Sequence, residues 1–245
     1  MTPPSDRQPL LAVRDLVKAF GTVRAVDGVS VEVLPNEVLG IIGDNGAGKS
    51  TFLSLLAGYH RPDSGTFFYQ GKPVAITSPR IARNHLGIEM VYQNLALAPD
   101  LSARDNLFLG EEMRVLGVFS DKRGMTRRAE EALRRLESDV SPSSLVGELS
   151  GGQRQAVAIG RALLFDRTII IMDEPTAAIS VHKVGEVLSL IRSLKALGKT
   201  VLFVSHRLED VLSVCDRVAV FYQGRIRKVL ANVNLQLDDL LREMF

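Results

Sequence analysis

The 245-residue chain has a single cysteine, Cys215, so no disulfide can form within it. A lone cysteine agrees with a reducing compartment, and its default role is that of a small buried apolar residue. An excess of either charge is also missing: 30 basic residues stand against 28 acidic ones, for a formal net charge of +2. Without a basic field at the level of the whole chain, DNA and RNA are not suggested as partners. No stretch approaches the ~20 apolar residues that a membrane helix needs, so any membrane role is expected to run through another subunit. Internal repeats and low-complexity tracts are absent. The segment Met1–Pro9 lacks the charged start and apolar core of a secretion signal; residues 1–9 read as a short disordered lead and 10–245 as one domain.

The sequence is rich instead in apolar residues, at 46%, enough to bury a sizeable core. Leu10 to Val13, Val29 to Val33 and Gly65 to Ile76 alternate as strands of an antiparallel subdomain, with Gln70-Gly71-Lys72 as a turn. After that the rhythm becomes strand then helix. Ile88 to Tyr92, Thr168 to Met172, Thr200 to Val204 and Val218 to Tyr222 read as buried strands of a mainly parallel sheet covered by helices. From Asn94 to Leu164 helical patterns dominate, with helices expected over Asp105 to Met113, Thr126 to Ser138 and Gln153 to Leu164, which predicts a helical subdomain inserted in the α/β core. The mixed charges of Arg127 to Arg135 read as a solvated helix face.

The segment Gly43-Asp44-Asn45-Gly46-Ala47-Gly48-Lys49-Ser50-Thr51 fits the pattern G-x-x-x-x-G-K-[ST] of a P-loop. Glycines are needed there because successive backbone N–H groups must turn inward on phosphate oxygens. Lys49 is expected to reach the β- and γ-phosphates, Ser50 to put its hydroxyl on Mg²⁺, and the following helix, Ser50 to Ala57, to aim its positive end at the anion. Asp173 closes an apolar strand and is placed as a carboxylate for Mg²⁺ or its water shell. Glu174, next to it, is assigned as the general base for the water that attacks the γ-phosphate. Gln93 and His206 follow two further strand ends, where an amide meets Mg²⁺ or the water and an imidazole meets the γ-phosphate.

A second anion-binding element is Ser150-Gly151-Gly152-Gln153. Ser150 suits a helix N-cap, and the glycines leave the first N–H groups accessible. One triphosphate cannot easily use two such helix ends of the same chain.

These motifs together resemble the nucleotide-binding subunits of ATP-binding cassette (ABC) transporters over nearly the whole chain, from Phe20 to about Arg225. The resemblance implies a P-loop NTPase core, ATP and Mg²⁺ as cofactors, and a head-to-tail pair of subunits in which Ser150, Gly151, Gly152 and Gln153 close over the partner's ATP. It implies that adenine stacks on Phe20, that Gln93 senses Mg²⁺ and contacts the membrane subunit, that Asp173 and Glu174 form the Walker B pair, and that His206 is the switch histidine. Ser180 stands where family members commonly carry an aspartate, which bears on how tightly two ATP sites are coupled. Val91 to Pro99 and Asp105 to Gly110 are similar to the importers of simple sugars of the ribose, xylose and fructose type.

The expected assembly is therefore a homodimer, peripheral on the cytoplasmic face of the membrane, attached to polytopic permease subunits and served indirectly by a sugar-binding protein. Import of another small solute, such as nucleosides or amino acids, and a soluble ABC ATPase outside transport are the alternatives. The apolar stripe of Leu237, Leu240, Leu241 and Met244 is expected to pack on the core.

Overall fold

A computed structural model describes residues 8–92, 94–115, 119–177 and 181–244. In chain order, β1 (Leu11–Phe20) and β2 (Val23–Val33) form an antiparallel pair, and β3 (Val38–Ile42) leads through the glycine loop into α1 (Lys49–Leu56). Strands β4 (Ser64–Tyr69) and β5 (Lys72–Val74) follow, then α2 (Pro79–Leu86), β6 (Ile88–Val91), α3 (Ala103–Phe108), a short hairpin of β7 (Arg114–Val115) and β8 (Phe119–Ser120), α4 (Lys122–Arg135) and α5 (Gly151–Leu164). The remainder alternates: β9 (Ile169–Asp173), α6 (Val181–Ala196), β10 (Thr200–Val204), α7 (Leu208–Val214), β11 (Arg217–Tyr222), β12 (Arg225–Ala231) and α8 (Leu237–Met244).

Two main sheets result. The antiparallel one has the order β2-β1-β4-β5, and its β4–β5 turn is made by Gln70 and Gly71, both at positive φ (49° and 77°). That geometry matches the twist of a tight hairpin. The other has the order β12-β11-β3-β10-β9-β6; β11, β3, β10, β9 and β6 run parallel, with β12 antiparallel at the edge.

The parallel strands read as continuous apolar runs because both faces are covered. Leu39, Ile41, Ile169, Ile171, Leu202 and Val204 pack with α1, α2 and the antiparallel sheet. Their neighbours Val38, Ile42, Ile170, Met172, Val201 and Phe203 pack with α5, α6 and α7 on the other side. Alternation along each strand thus divides one sheet between two cores. Gly40 sits where α7 comes closest: a Cβ there would be 2.8 Å from Val211 and 2.9 Å from the buried Cys215 Sγ.

Helices α3, α4 and α5 enclose a third apolar cluster that includes Leu107, Phe108, Leu133 and Val157. The helix expected over Asp105 to Met113 is shorter than its pattern, spanning Ala103–Phe108, because Ser102 caps its start and Gly110 at φ 81° turns the chain away. The next one begins earlier than expected, at Lys122, because Asp121 accepts the Gly124 N–H at 2.9 Å. In α8, Leu240 is buried, whereas Leu237 and Leu241 stay partly exposed, so the stripe packs along one edge only. Among the described residues no helix is long and apolar enough to cross a membrane.

Candidate functional site

The carboxyl ends of β3, β9 and β10 converge, which in an open α/β sheet is where a ligand crevice forms. From β3 the chain turns at Gly43 (φ 149°), where a Cβ would stand 2.3 Å from the Phe221 carbonyl oxygen, and at Gly48 (φ 103°), where it would stand 2.0 Å from that of Ala25. Only glycine fits either place. Gly48 is the N-cap of α1; it offers no side-chain cap, and the first turn carries no acidic residue. The N–H groups at this helix end are therefore left for an external anion, and the helix dipole favours one.

Lys49 lies within this loop and is buried. Its Nζ donates to the carbonyls of Gly43 (2.7 Å) and Asp44 (2.9 Å). Burial pushes its pKa down, while Glu174, Asp173 and Asp44 pull the other way. Among the described residues no carboxylate forms an ion pair with this ammonium, which leaves it able to meet an anion.

Opposite it, β9 delivers Asp173. Burial raises its carboxyl above the ordinary range and the neighbouring Glu174 adds to the rise, against the Ser50 hydroxyl and the Lys49 charge. Among the described residues its Oδ1 is buried with no hydrogen-bond partner, an arrangement that costs free energy unless a further group satisfies it. Glu174 leaves the strand: its φ is 51°, and its N–H still donates to the Val204 carbonyl at 3.0 Å. A left-handed turn, rather than strand alternation, separates its direction from that of Asp173. Its Oε2 meets His206 Nδ1 at 2.5 Å. Thr176 Oγ1 donates to the buried Asp210 Oδ2 at 3.0 Å and ties the loop that carries Glu174 to α7, which begins just after His206.

Lys49, Ser50, Thr51, Asn45, Gly46, Gly48, Asp173 and Glu174 share a cleft of about 440 Å³. Ala47 is bound into its floor, where its carbonyl accepts the Gly224 N–H at 2.9 Å. Phe20 stands outside this cleft at the end of β1, 45% exposed, with His60 edge-on to its ring at 5.2 Å. Gln93 and Ser180 lie outside the described residues.

Ser150 and the residues after it are elsewhere. Ser150 caps α5; it, Gly152 and Gln153 line, with Glu186 and Ser193, a separate cleft of about 330 Å³, while Gly151 lines a neighbouring one of about 320 Å³. Ser150 Oγ accepts the Gln153 N–H (3.3 Å) while Gln153 Oε1 accepts the Ser150 N–H (2.9 Å), a reciprocal cap. The Gln153 amide also donates to Asp139 at 3.1 Å. Gln153 is therefore engaged within its own chain, and the N–H groups of Gly151 and Gly152 are the ones left at this helix end.

Sequence reasoning missed Val23, Arg24, Ala25, Gln223 and Gly224, which complete the wall of the first cleft. Val23 to Ala25 precede the stretch Val29 to Val33 that alternation picks out as a strand, and carry no pattern of their own. The Gln223-Gly224 pair, both at positive φ, is a turn signal whose place beside the P-loop depends on the tertiary fold.

A glycine cradle between a parallel strand and a helix, faced by a buried aspartate at a second strand end, defines a P-loop nucleotide-binding protein. The ABC transporter family matches residues 26–177, and the chain belongs to that family. It is 45% identical over 89% of its length to the xylose/arabinose import ATP-binding protein XylG of Sulfolobus acidocaldarius, covering 86% of that protein. To the ribose import ATP-binding protein RbsA of Rhodococcus jostii it is 41% identical over 96% of its length, and here it spans only 47% of the relative. Among solved structures, the ATP-binding cassette MJ1267 of an ABC transporter superposes with a TM-score of 0.84 at 30% identity, covering 97% of this chain and 99% of that one.

Proposed function

We propose that this chain is the ATP-binding and ATP-hydrolysing subunit of a monosaccharide importer. Two copies associate head to tail, and each ATP lies between the glycine loop of one and the Ser150–Gly152 helix end of the other. The observation that carries this reading is the placement of two helix N-termini in separate clefts of one chain, the second with the Glu186 carboxylate beside Gly152. Supporting the substrate class are the xylose, arabinose and ribose importers to which the chain is similar.

In this reading Lys49 and the loop N–H groups bind and orient the β- and γ-phosphates, Phe20 supplies a stacking surface for adenine, and Glu174 takes the proton of the attacking water while His206 holds its carboxylate. The donor set fits Mg²⁺: Asp173 has a buried carboxylate oxygen without a partner among the described residues, and the Ser50 hydroxyl lies by the same carboxyl, oxygen ligands of the kind this ion takes. Ser50 and Asp173, with Gln93, would hold the ion, and bound there it neutralises phosphate charge. Residues 94–164 act as an inserted helical subdomain that presents α5 to the partner. Closure of the pair drives polytopic permease subunits, and the cassette works peripherally at the cytoplasmic face of the membrane.

Mixing two inactive variants tests the shared site. Lys49→Ala loses the cradle and Ser150→Phe blocks the opposing helix end, so each homodimer should be inactive. In a mixed dimer one composite site is intact, and about a quarter of wild-type turnover should reappear on random mixing. If mixing restores nothing while the wild type turns over, each site belongs to one chain and the sandwich is wrong.

A further inference from the structure

We propose that Arg24 is a nucleotide-binding residue that donates to the phosphate nearest the ribose, the α-phosphate, in the cleft assigned above to ATP. The inference rests on that assignment.

Arg24 is built into the cleft's mouth. On β2 it pairs with Ala19, next to the pairing of Phe20 with Val23, and the following residue, Ala25, presses on the glycine loop at Gly48. Its position is thus intermediate between the aromatic surface and the phosphate cradle, where a bound nucleotide places its ribose and first phosphate. The residue lines the cleft with Lys49, Ser50 and Thr51.

The guanidinium is held but not consumed. Its NH1 donates to Asp27 Oδ1 at 3.1 Å, and Arg225 binds the other oxygen of the same carboxylate, with NH2 at 2.7 Å and Nε at 3.0 Å. These two cations, Arg225 before Arg24, hold the Asp27 carboxyl below the usual range. Asp27 is itself fixed to the cradle: its N–H donates to the Gly224 carbonyl (2.8 Å), and the Gly224 N–H donates to that of Ala47 (2.9 Å). A guanidinium carries five N–H donors, of which one is bound here, so the rest remain for phosphate oxygens in a charge-assisted bond. Arg225 shares the anchor and does not line the cleft, which makes it an internal control.

The test is calorimetric titration of ADP and of a non-hydrolysable ATP analogue into the full chain. Arg24→Gln should weaken both by the same factor, on the order of five- to tenfold, because the α-phosphate is common to both. Arg24→Lys should recover most of the loss, Arg225→Gln should bind as the wild type, and the deficit should shrink at high salt. In turnover, Arg24→Gln should raise KM and leave kcat. Wild-type affinity in Arg24→Gln, or an equal loss in Arg225→Gln, overturns the role of Arg24 alone. A wild-type chain that binds neither nucleotide would overturn the nucleotide-site reading as well.

Discussion

His206 Nδ1 and Glu174 Oε2 meet at 2.5 Å across the gap between the ends of β10 and β9. Neither residue is part of a strand, and Glu174 reaches this contact with a backbone φ of 51°. For a residue with a Cβ such a conformation costs on the order of 1–2 kcal/mol. The surrounding bonds, from Glu174 N–H to Val204 and from Thr176 to Asp210, offset that cost and fix the carboxylate beside His206.

Glu174→Gln keeps the shape and removes the basic oxygen. Hydrolysis should fall about 10²- to 10⁴-fold, the range for loss of a general base, while ATP binding persists and a closed dimer accumulates. Single-turnover hydrolysis together with analytical ultracentrifugation in Mg-ATP reads both. Turnover at the wild-type rate would remove Glu174 from the chemistry.

Gly48→Ala tests the cradle itself. A Cβ at φ 103° would stand 2.0 Å from the Ala25 carbonyl oxygen, and backbone on both sides leaves little room to yield. Nucleotide affinity should drop by at least about tenfold, and Tm should fall by roughly 2–12 °C, corresponding to 1–3 kcal/mol of strain in a chain of this size. Gly46→Ala is the comparison: φ is 80°, but nothing lies within 4 Å of its Cβ, so its effect should be milder.

Asn106 shows what the sequence conceals. It is 1% exposed; its amide donates to the carbonyls of Ala98 (2.9 Å), Ser102 (3.0 Å) and Leu101 (3.3 Å), and its Oδ1 accepts the Ala98 N–H (2.8 Å). It therefore pins the segment after β6 to the start of α3. Asn106→Leu strands several buried backbone groups, at about 1–3 kcal/mol each. Tm should fall by roughly 5 °C or more, and proteolysis should open the 94–102 segment first. An unchanged Tm would mean that these bonds contribute little.

The parts of the site that were legible share one property: each is a local pattern with a local cause. Gly43 to Thr51 announces strand, turn and helix within a dozen residues, and Ser150 with Gln153 spells out a cap that the structure forms. The parallel strands were legible as apolar runs because burial on both faces leaves no alternation to mislead. What escaped is set by distant neighbours. Arg24 acquires its place from Asp27, Gly224 and the P-loop, Asn106 from carbonyls in the preceding loop, and Gly40 from α7. Helix α2 was missed although Ser78-Pro79 starts it and Gly87 at φ 63° ends it, because only Ala82 and Leu86 of its eight residues are buried and the apolar stripe is too thin to read.

Asp173 carries a cost that its neutral isostere would remove. Its carboxyl pKa is raised above the ordinary 3.8, chiefly by burial. A folded-state pKa above the unfolded one means that the folded chain takes up a proton first as pH falls. Wherever the folded carboxyl is ionised it bears the desolvation cost, and that cost disappears as pH drops through the raised value. Asp173→Asn should accordingly raise the Tm of the nucleotide-free chain at pH 7, with the gain shrinking toward acid pH. The same change should cut Mg²⁺-dependent hydrolysis by at least about 10²-fold, a trade of stability against function expected at a ligand site. Scanning calorimetry at pH 7 and pH 5 measures the first part. A lower Tm than the wild type at pH 7 would show that the carboxylate is satisfied in the free chain, and the case for a cation beside Ser50 would lose its main support.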